Sequence, residues 1–222
     1  MKIDLHLHTL ASISNGDTIK WSSLYDTLKK LKVNNVEIAS FTDHNIFDYE
    51  LYKKAYQLAL TGKIKLLPGI EVNVVRKNGI IGHMLIIFND NLTDQELLML
   101  QKEANTILKN GVSLSNINNL FSNFETIRII HIGKNDFFSY EDLEGLNYDA
   151  FEITNEMHPN YKQVLKKGFI SSVVAFSDTH VWDKYPQQGE LVTIVDDIGE
   201  KSFNALKKAL KQNKIYYKKR YS

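Results

Sequence analysis

His6 and His8 stand one residue apart in the segment KIDLHLHTL, Lys2 to Leu10, with Asp4 two residues ahead of His6. Alternate side chains of an extended strand point to opposite sides, so Asp4, His6 and His8 share one face and Ile3, Leu5 and Leu7 the other. Two imidazoles aimed at one point form half of a metal site, although the same spacing also arises when two unrelated histidines fall in one strand. The other titratable residues bear on that choice. SFTDHN carries Asp43 and His44, LLPGIEV carries Glu71 after its strand, GHMLIIF carries His83, IRIIHI carries His131, and SVVAFSDTH carries Asp178 and His180. Every histidine except His158 therefore falls in or just after a short apolar run, and Asp178/His180 repeats the spacing of His6/His8. Taken singly, His83 reads as a hydrogen-bonded core histidine, Glu71 behind Pro68-Gly69 as a turn carboxylate, and Asp43 as a helix cap. One metal centre accounts for all of them together. His158, followed by Pro159, reads as the cap position of a helix.

Such convergence needs elements that end at one rim. Trp21, Leu24, Tyr25, Leu28 and Leu31 recur at helical spacing, as do Leu51, Ala55, Leu58 and Ala59, and VEIASF between them is a short strand. KIKLLPGIEV supplies another strand, and VVRKNGIIGHMLIIF carries the Asn78-Gly79 signature of a tight hairpin. Thr93 to Glu96 is a capping box that opens a helix ending near Gly111. Further strands are expected at IRIIHI, AFEIT, SVVAF and LVTIV, with helices near Pro159 to Lys167 and Glu200 to Gln212. The basic end KIYYKKRYS reads as a last strand and a solvated tail. This alternation predicts an α/β fold, a mostly parallel sheet with helices outside, closed or nearly closed as a barrel. In such a barrel the C-terminal strand ends open onto the rim where active sites are built.

At 222 residues the chain is expected to form one domain, residues 1–222. It holds 27 Lys and Arg against 26 Asp and Glu, so it offers no general basic field for long nucleic acid, although a mononucleotide or short substrate is compatible. With no cysteine, disulfides, zinc-thiolate sites and a cysteine nucleophile are excluded together, and any metal must be held by imidazole and carboxylate. Asp4 and His6 fall where a signal peptide would need an apolar core, and no apolar run reaches the ~18 residues of a membrane span. A cytoplasmic protein is the expectation.

In the order DLHLHT, FTDHN, LPGIEV, GHMLIIF, HIG and FSDTH, the sequence resembles the polymerase and histidinol phosphatase (PHP) family of metal-dependent phosphoesterases. The resemblance runs from Lys2 to His180 and implies a distorted (β/α)7 TIM-like barrel with two or three metal ions. It implies one ion on His6, His8, Glu71 and Asp178, with Glu71 bridging to a second on His83 and His131. A third ion takes His44, His180 and one further ligand. The family often supplies that ligand from a Ser-Asp-Gly loop after the first strand; here the loop reads ASISNGD. Asn15 offers only a neutral amide, a poorer ligand than a carboxylate, whereas Asp17 two residues later could replace it.

Imidazoles with bridging carboxylates suit zinc, manganese or iron. Two such ions about 3.5 to 4 Å apart can hold a bridging hydroxide as nucleophile and neutralise a phosphoryl group. The expected activity is hydrolysis of a small phosphomonoester or nucleotide, with Glu71, Asp178 and His180 serving catalysis as ligands. Lys134 in HIGKND is the candidate substrate contact, with Arg76 and Lys77 as alternatives, each of which also reads as an ordinary surface charge. Asp43 is expected to orient His44 and Asp4 to orient His6 from behind. Three other readings share these residues: an amidohydrolase, which would use a carboxylated lysine; a non-catalytic PHP-like binding or regulatory module; and a nuclease acting on DNA or RNA ends, which needs a basic, aromatic track beside the metals.

Overall fold

Strand β1 (Lys2–Leu7), helix α1 (Leu24–Val33), strand β2 (Val36–Phe41) and helix α2 (Tyr49–Gly62) follow one another as the patterning predicts. They belong to a computed structural model that describes residues 1–107, 111–186, 191–196 and 199–219. Both helices begin at a side-chain cap: Ser23 accepts from the amide of Asp26, and Asp48 from that of Leu51. The apolar stripes are narrower than expected, because Trp21 precedes α1 and Tyr25 and Leu58 are exposed. Next come β3 (Lys65–Val75), β4 (Ile81–Phe88) and α3 (Asp94–Ile107), the last opened by the reciprocal Thr93/Glu96 box. Its expected run toward Gly111 crosses 108–110, outside the described residues, as does the end of the basic tail from 220 onward. The rest comprises β5 (Val112–Ser113), β6 (Thr126–Gly133), β7 (Ala150–Ile153), α4 (Pro159–Lys166), β8 (Ser172–Val174), β9 (Leu191–Val195), α5 (Phe203–Lys211) and β10 (Ile215–Lys219). Among the described residues, no helix is long and apolar enough to cross a membrane.

The strands lie in the order β10-β9-β1-β2-β3-β4-β6-β7-β8, with β5 against β3. Two parallel runs, β1-β2-β3 and β6-β7-β8, are joined through β4, which is antiparallel to both neighbours. β9 and β10 also run antiparallel at the β1 edge, so the sheet is more mixed than expected. The chain beyond β8 brings the two ends together. Thr193 of β9 accepts from the amide of Ala175 and donates to its carbonyl, and the His8 amide donates to the carbonyl of Thr179. A single mixed α/β fold with a nearly closed, barrel-shaped sheet results.

One buried cluster unites the inward residues of the strands, among them Leu5, Ile38, Leu67, Leu85, Ile129, Ala150 and Phe176. Helix α5 adds Phe203, Leu206, Ala209 and Leu210 to that cluster, at the end where β1 begins beside Val195. A second cluster packs the opposite sheet face against α1, α2 and α3. Adding two residues to inward Ile129, Ala150 and Phe176 gives His131, Glu152 and Asp178, a polar layer on top of the apolar one. The approach of β3 to β2 is close enough to need glycine. A Cβ at Gly69 would lie 2.3 Å from the Ser40 hydroxyl and 2.8 Å from the Thr42 methyl, two residues before Glu71.

β1 departs from simple alternation. Its register runs from Asp4 opposite Ala39 to Leu7 opposite Phe41, so three steps on β1 meet two on β2, which is a bulge. Ile3 and Leu5 therefore pack in the barrel cluster while Leu7 packs among the helices, and Asp4 does not share a face with His6 as the sequence suggested. Asp4 instead accepts from the Ser177 amide and the Tyr185 hydroxyl.

Arg76 and Lys77 are likewise not free cations beside a phosphate. Arg76 donates Nε to Asp142 at 2.7 Å, both residues being buried, and Lys77 bonds the Glu141 carbonyl through Nζ and Asp142 through its amide. Burial pushes the Asp142 carboxyl up, but the donors of Arg76, Ser139 and Lys77 outweigh it and hold Asp142 below the usual range. Its stabilisation is therefore present above the unfolded-state pKa and lost as pH falls through the folded one. Asp142→Ala should cost about 3 to 5 kcal/mol at neutral pH by stranding Arg76. Urea unfolding of both proteins should show this gap, and the gap should shrink in acid; equal midpoints at pH 7 would refute the assignment.

Candidate metal centre

Glu71 is the hub. It lies inside β3 rather than after it, and its backbone is fixed by the extension of β2: the Glu71 amide donates to the Asp43 carbonyl, and the Asn45 amide to the Glu71 carbonyl. Its two oxygens face different partners. Oε2 lies 3.0 Å from His6 Nε2, 3.3 Å from His8 Nε2 and 3.1 Å from His44 Nε2. Oε1 lies 2.9 Å from His83 Nδ1 and 3.4 Å from His131 Nε2. His83 reaches this layer because β4 is antiparallel, so the start of β4 sits beside the far end of β3, with Asn73 opposite His83.

Asp178 completes the first group, its Oδ1 lying 3.3 Å from Nε2 of both His6 and His8. It is not held by a plain extended segment as the spacing of two suggested, since Asp178 adopts φ 50°, a left-handed conformation. That turn lets the His180 ring donate Nδ1–H to the Asp178 carbonyl at 3.2 Å, leaving Nε2 for the site. Asp17 Oδ2 lies 3.7 Å from His44 Nε2 and 3.9 Å from His180 Nε2. Asn15 turns away, its amide donating to the His44 carbonyl at 2.7 Å. Of the two loop residues, only the carboxylate faces the imidazoles. Ligand-capable atoms accordingly group as His8, Asp17, His44 and His180; His6, His8 and Asp178; His6, Glu71 and His131; and His44, Glu71 and His83.

The residues behind the ligands fix which nitrogen faces inward. Asp43 does not touch the His44 ring; it accepts from the Thr9 amide, the Thr9 hydroxyl and the Ser12 hydroxyl. Because Ser12 spends its proton on Asp43, it accepts from the His44 amide and from His8 Nδ1–H, which leaves the His8 Nε2 lone pair inward. His6 Nδ1 lies 3.0 and 3.1 Å from the two oxygens of Glu152, a wholly buried carboxylate. Sequence reading missed Glu152. The signal was available in AFEIT, where a lone carboxylate sits two residues past the inward Ala150. Lys134 is no surface charge either: Nζ is buried, 2.8 Å from Asp178 Oδ2 and 3.1 Å from Glu152 Oε1. His158 caps α4 with Pro159 in its first turn, and its ring lies against Phe137 rather than in the cluster.

This donor set fits divalent metal ions. Nε2 of His6 and of His8 face each other at 3.1 Å and both face carboxylate oxygens, so without a cation lone pairs would meet lone pairs. Asp17 Oδ2, Asp178 Oδ1 and both His131 ring nitrogens are buried with no hydrogen-bond partner. Burial drives His131 down to about 4, helped by Lys134, and His44 to about 3, so both rings are neutral and ready to ligate. Burial also disfavours charge on His8, yet Asp178 and Glu71 overcome it and lift His8 to about 9; His6 is raised for the same reason by Asp178, Glu152 and Glu71.

A model of the PHP domain matches residues 4–221. The chain belongs to the PHP family. Its fold is shared with a Bifidobacterium adolescentis protein provisionally assigned as a metal-dependent phosphoesterase, at 12% identity and TM-score 0.60, covering 94% of this chain and 95% of that one. A two-domain protein of Bacteroides vulgatus, with a PHP-like metal-dependent phosphoesterase region assigned by prediction, matches at 14% identity and TM-score 0.58, covering 98% of this chain and 64% of its own. An amidohydrolase from Chromobacterium violaceum, with bound sulfate and no metal, matches at 12% identity and TM-score 0.60, covering 99% and 98%. No curated protein sequence matches significantly. Membership in the PHP family and the His/Asp/Glu groups together make metal-dependent hydrolysis the general chemistry of this chain.

Two outcomes test this PHP centre. Asp17→Ala should remove the weakest equivalent in a zinc titration followed by calorimetry, while Asn15→Ala should leave the stoichiometry intact; the reverse pattern would reassign the ligand. Because His6 and His8 hold protons that a metal must displace, metal uptake at pH 7 should release protons, and apparent affinity should rise toward about pH 9. Titrations in buffers of differing ionisation enthalpy would expose the error if no proton were released.

Proposed function

We propose that this PHP protein hydrolyses phosphate esters of small molecules or nucleotides, using two or three divalent ions of zinc, manganese or iron. The observation that carries the reading is the two-sided setting of Glu71, with one oxygen toward His6, His8 and His44 and the other toward His83 and His131. His6, His8, Glu71 and Asp178 would hold the first ion, Glu71, His83 and His131 the second, and Asp17, His44 and His180 the third. Bound divalent ions supply a water-derived nucleophile at neutral pH and offset the charge of a phosphoryl group.

The protein's own part is orientation. Ser12 and the Asp178 carbonyl fix the His8 and His180 tautomers, and Lys134 occupies Asp178 Oδ2 so that Oδ1 alone faces His6 and His8. The same lysine bears on the amidohydrolase alternative. Paired with two carboxylates, Lys134 stays a cation, and its pKa is raised by Asp178 and Glu152 despite burial, so this lysine does not suit a carbamate ligand.

Purified protein, loaded in turn with zinc, manganese and iron, should release phosphate from at least one member of a panel of phosphorylated metabolites, nucleotides and short oligonucleotides. A chelator should abolish that activity. Asp178→Asn should lose metal and cut turnover by orders of magnitude, since an amide of the same shape lacks the charge. Full metal and near-normal turnover in Asp178→Asn would overturn the assignment; release of nucleotides from oligonucleotide ends alone would select the nuclease.

A further inference from the structure

Glu152 has no place among the metal groupings found among the described residues, yet it directly faces two of their histidines and is wholly enclosed. It has no exposed surface, and it stands opposite His131 in the β6–β7 register, beside a second bulge where two steps on β6 meet one on β7. Such bulges re-aim side chains at the edge of a site. Three groups converge on it: His6 Nδ1 at 3.0 and 3.1 Å, His131 Nε2 at 3.3 Å and Lys134 Nζ at 3.1 Å.

We propose that Glu152 is a positioning residue of the metal centre, which fixes His6 with Nε2 toward the ions and holds Lys134 as an internal counter-charge against Asp178. Carboxylate oxygens stand at both ring nitrogens of His6, Glu152 at Nδ1 and Glu71 with Asp178 at Nε2, and Lys134 Nζ lies 3.3 Å from Nδ1; an ion held by His6, His8 and Asp178 would take the Nε2 lone pair, which puts the proton on Nδ1 with Glu152 as its acceptor. Lys134 spends its charge on Glu152 Oε1 and Asp178 Oδ2, and each contact fixes one carboxylate rotamer. Buried metal ligands are oriented in this way by partners behind them, and loss of such a partner weakens metal affinity 10- to 100-fold. The sequence-based role of Lys134 as a phosphate contact is thereby replaced: its ammonium is committed to two carboxylates below the ligands. The inference rests on the metal-binding part of the proposed function and not on the identity of the ester.

The test uses the full chain, stripped of metal and titrated with zinc by calorimetry, as wild type, Glu152→Gln and the double variant Lys134→Met with Glu152→Gln. The double variant removes the buried pair together and so avoids a stranded lysine. Both variants should bind the wild-type number of zinc ions with affinity for the site containing His6 lowered about 10- to 100-fold. In the zinc-loaded wild type the His6 Nδ1 proton should give a downfield, slowly exchanging NMR signal, which should move upfield in both variants. Unchanged affinity and an unchanged signal would overturn the proposal. Loss of one zinc equivalent would make Glu152 a ligand, and recovery of wild-type affinity in the double variant would reduce its effect to net charge; either result also overturns it. Should the wild type itself take up no zinc, the proposed function fails and the inference with it, whereas wild-type binding with unaltered variants refutes the inference alone.

Discussion

Setting the buried Glu71 and Glu152 and the half-buried Asp178 within hydrogen-bonding distance of the same imidazoles is the constraint on which the upper half of the barrel depends. Carboxylates removed from water are costly unless positive charge and donors meet them. Here one lysine and a ring of histidines surround three carboxylates, and the remaining imbalance is met by protons on His6 and His8 or by metal ions in their place. The folded chain is thus built around a charge deficit. Its rigidity follows from the same need, because each lone pair must stay aimed while nothing but a cation can sit between them. Thr9, Ser12, Asp43 and Trp182, whose ring nitrogen donates to the His8 carbonyl, hold the end of β1 for that purpose.

The barrel meets this constraint through layering. Apolar residues fill the inner space from α5 upward, and the polar layer begins two residues later on the same strand faces, where solvent is near enough for ions and substrate to enter. β4 reverses the order: Leu85 and Ile87 lie in the apolar layer and His83, earlier in sequence, in the polar one. Strand direction and chemistry are therefore linked, and an antiparallel strand contributes to the rim only from its beginning.

The apolar periodicity made the strands and helices readable in the sequence, and the histidines marked the rim because so few lie elsewhere. What stayed hidden arose from local breaks in periodicity and from charges that pair internally. No pattern announces that the stretch from Asp4 to Leu7 takes an extra residue, so Asp4 seemed to share the face of His6. Asp178 looked extended, although its left-handed backbone is imposed by the return of the chain alongside β1. Lys134 and Arg76 read as solvated charges because their carboxylate partners, Asp178, Glu152 and Asp142, lie far away in sequence and meet them only after folding. Glu152 was overlooked for a simpler reason: a single glutamate in an apolar strand carries no spacing to notice until the inward direction of that strand is known.

The hairpin between β3 and β4 closes at Arg76 and Ile80 through an exposed turn with Gly79 at φ 80°, well along the strands from Glu71. Pairing across it sets Asn73 against His83 and Glu71 against Leu85. Since side chains alternate with a period of two, a slip of one residue would turn His83 out of the barrel, and a slip of two would carry it about 7 Å from its carboxylate. The turn is thus a measured spacer as well as a connector. Its length is tied to the chemistry, and an added residue would be accommodated only by bulging into solvent where the ladder does not feel it.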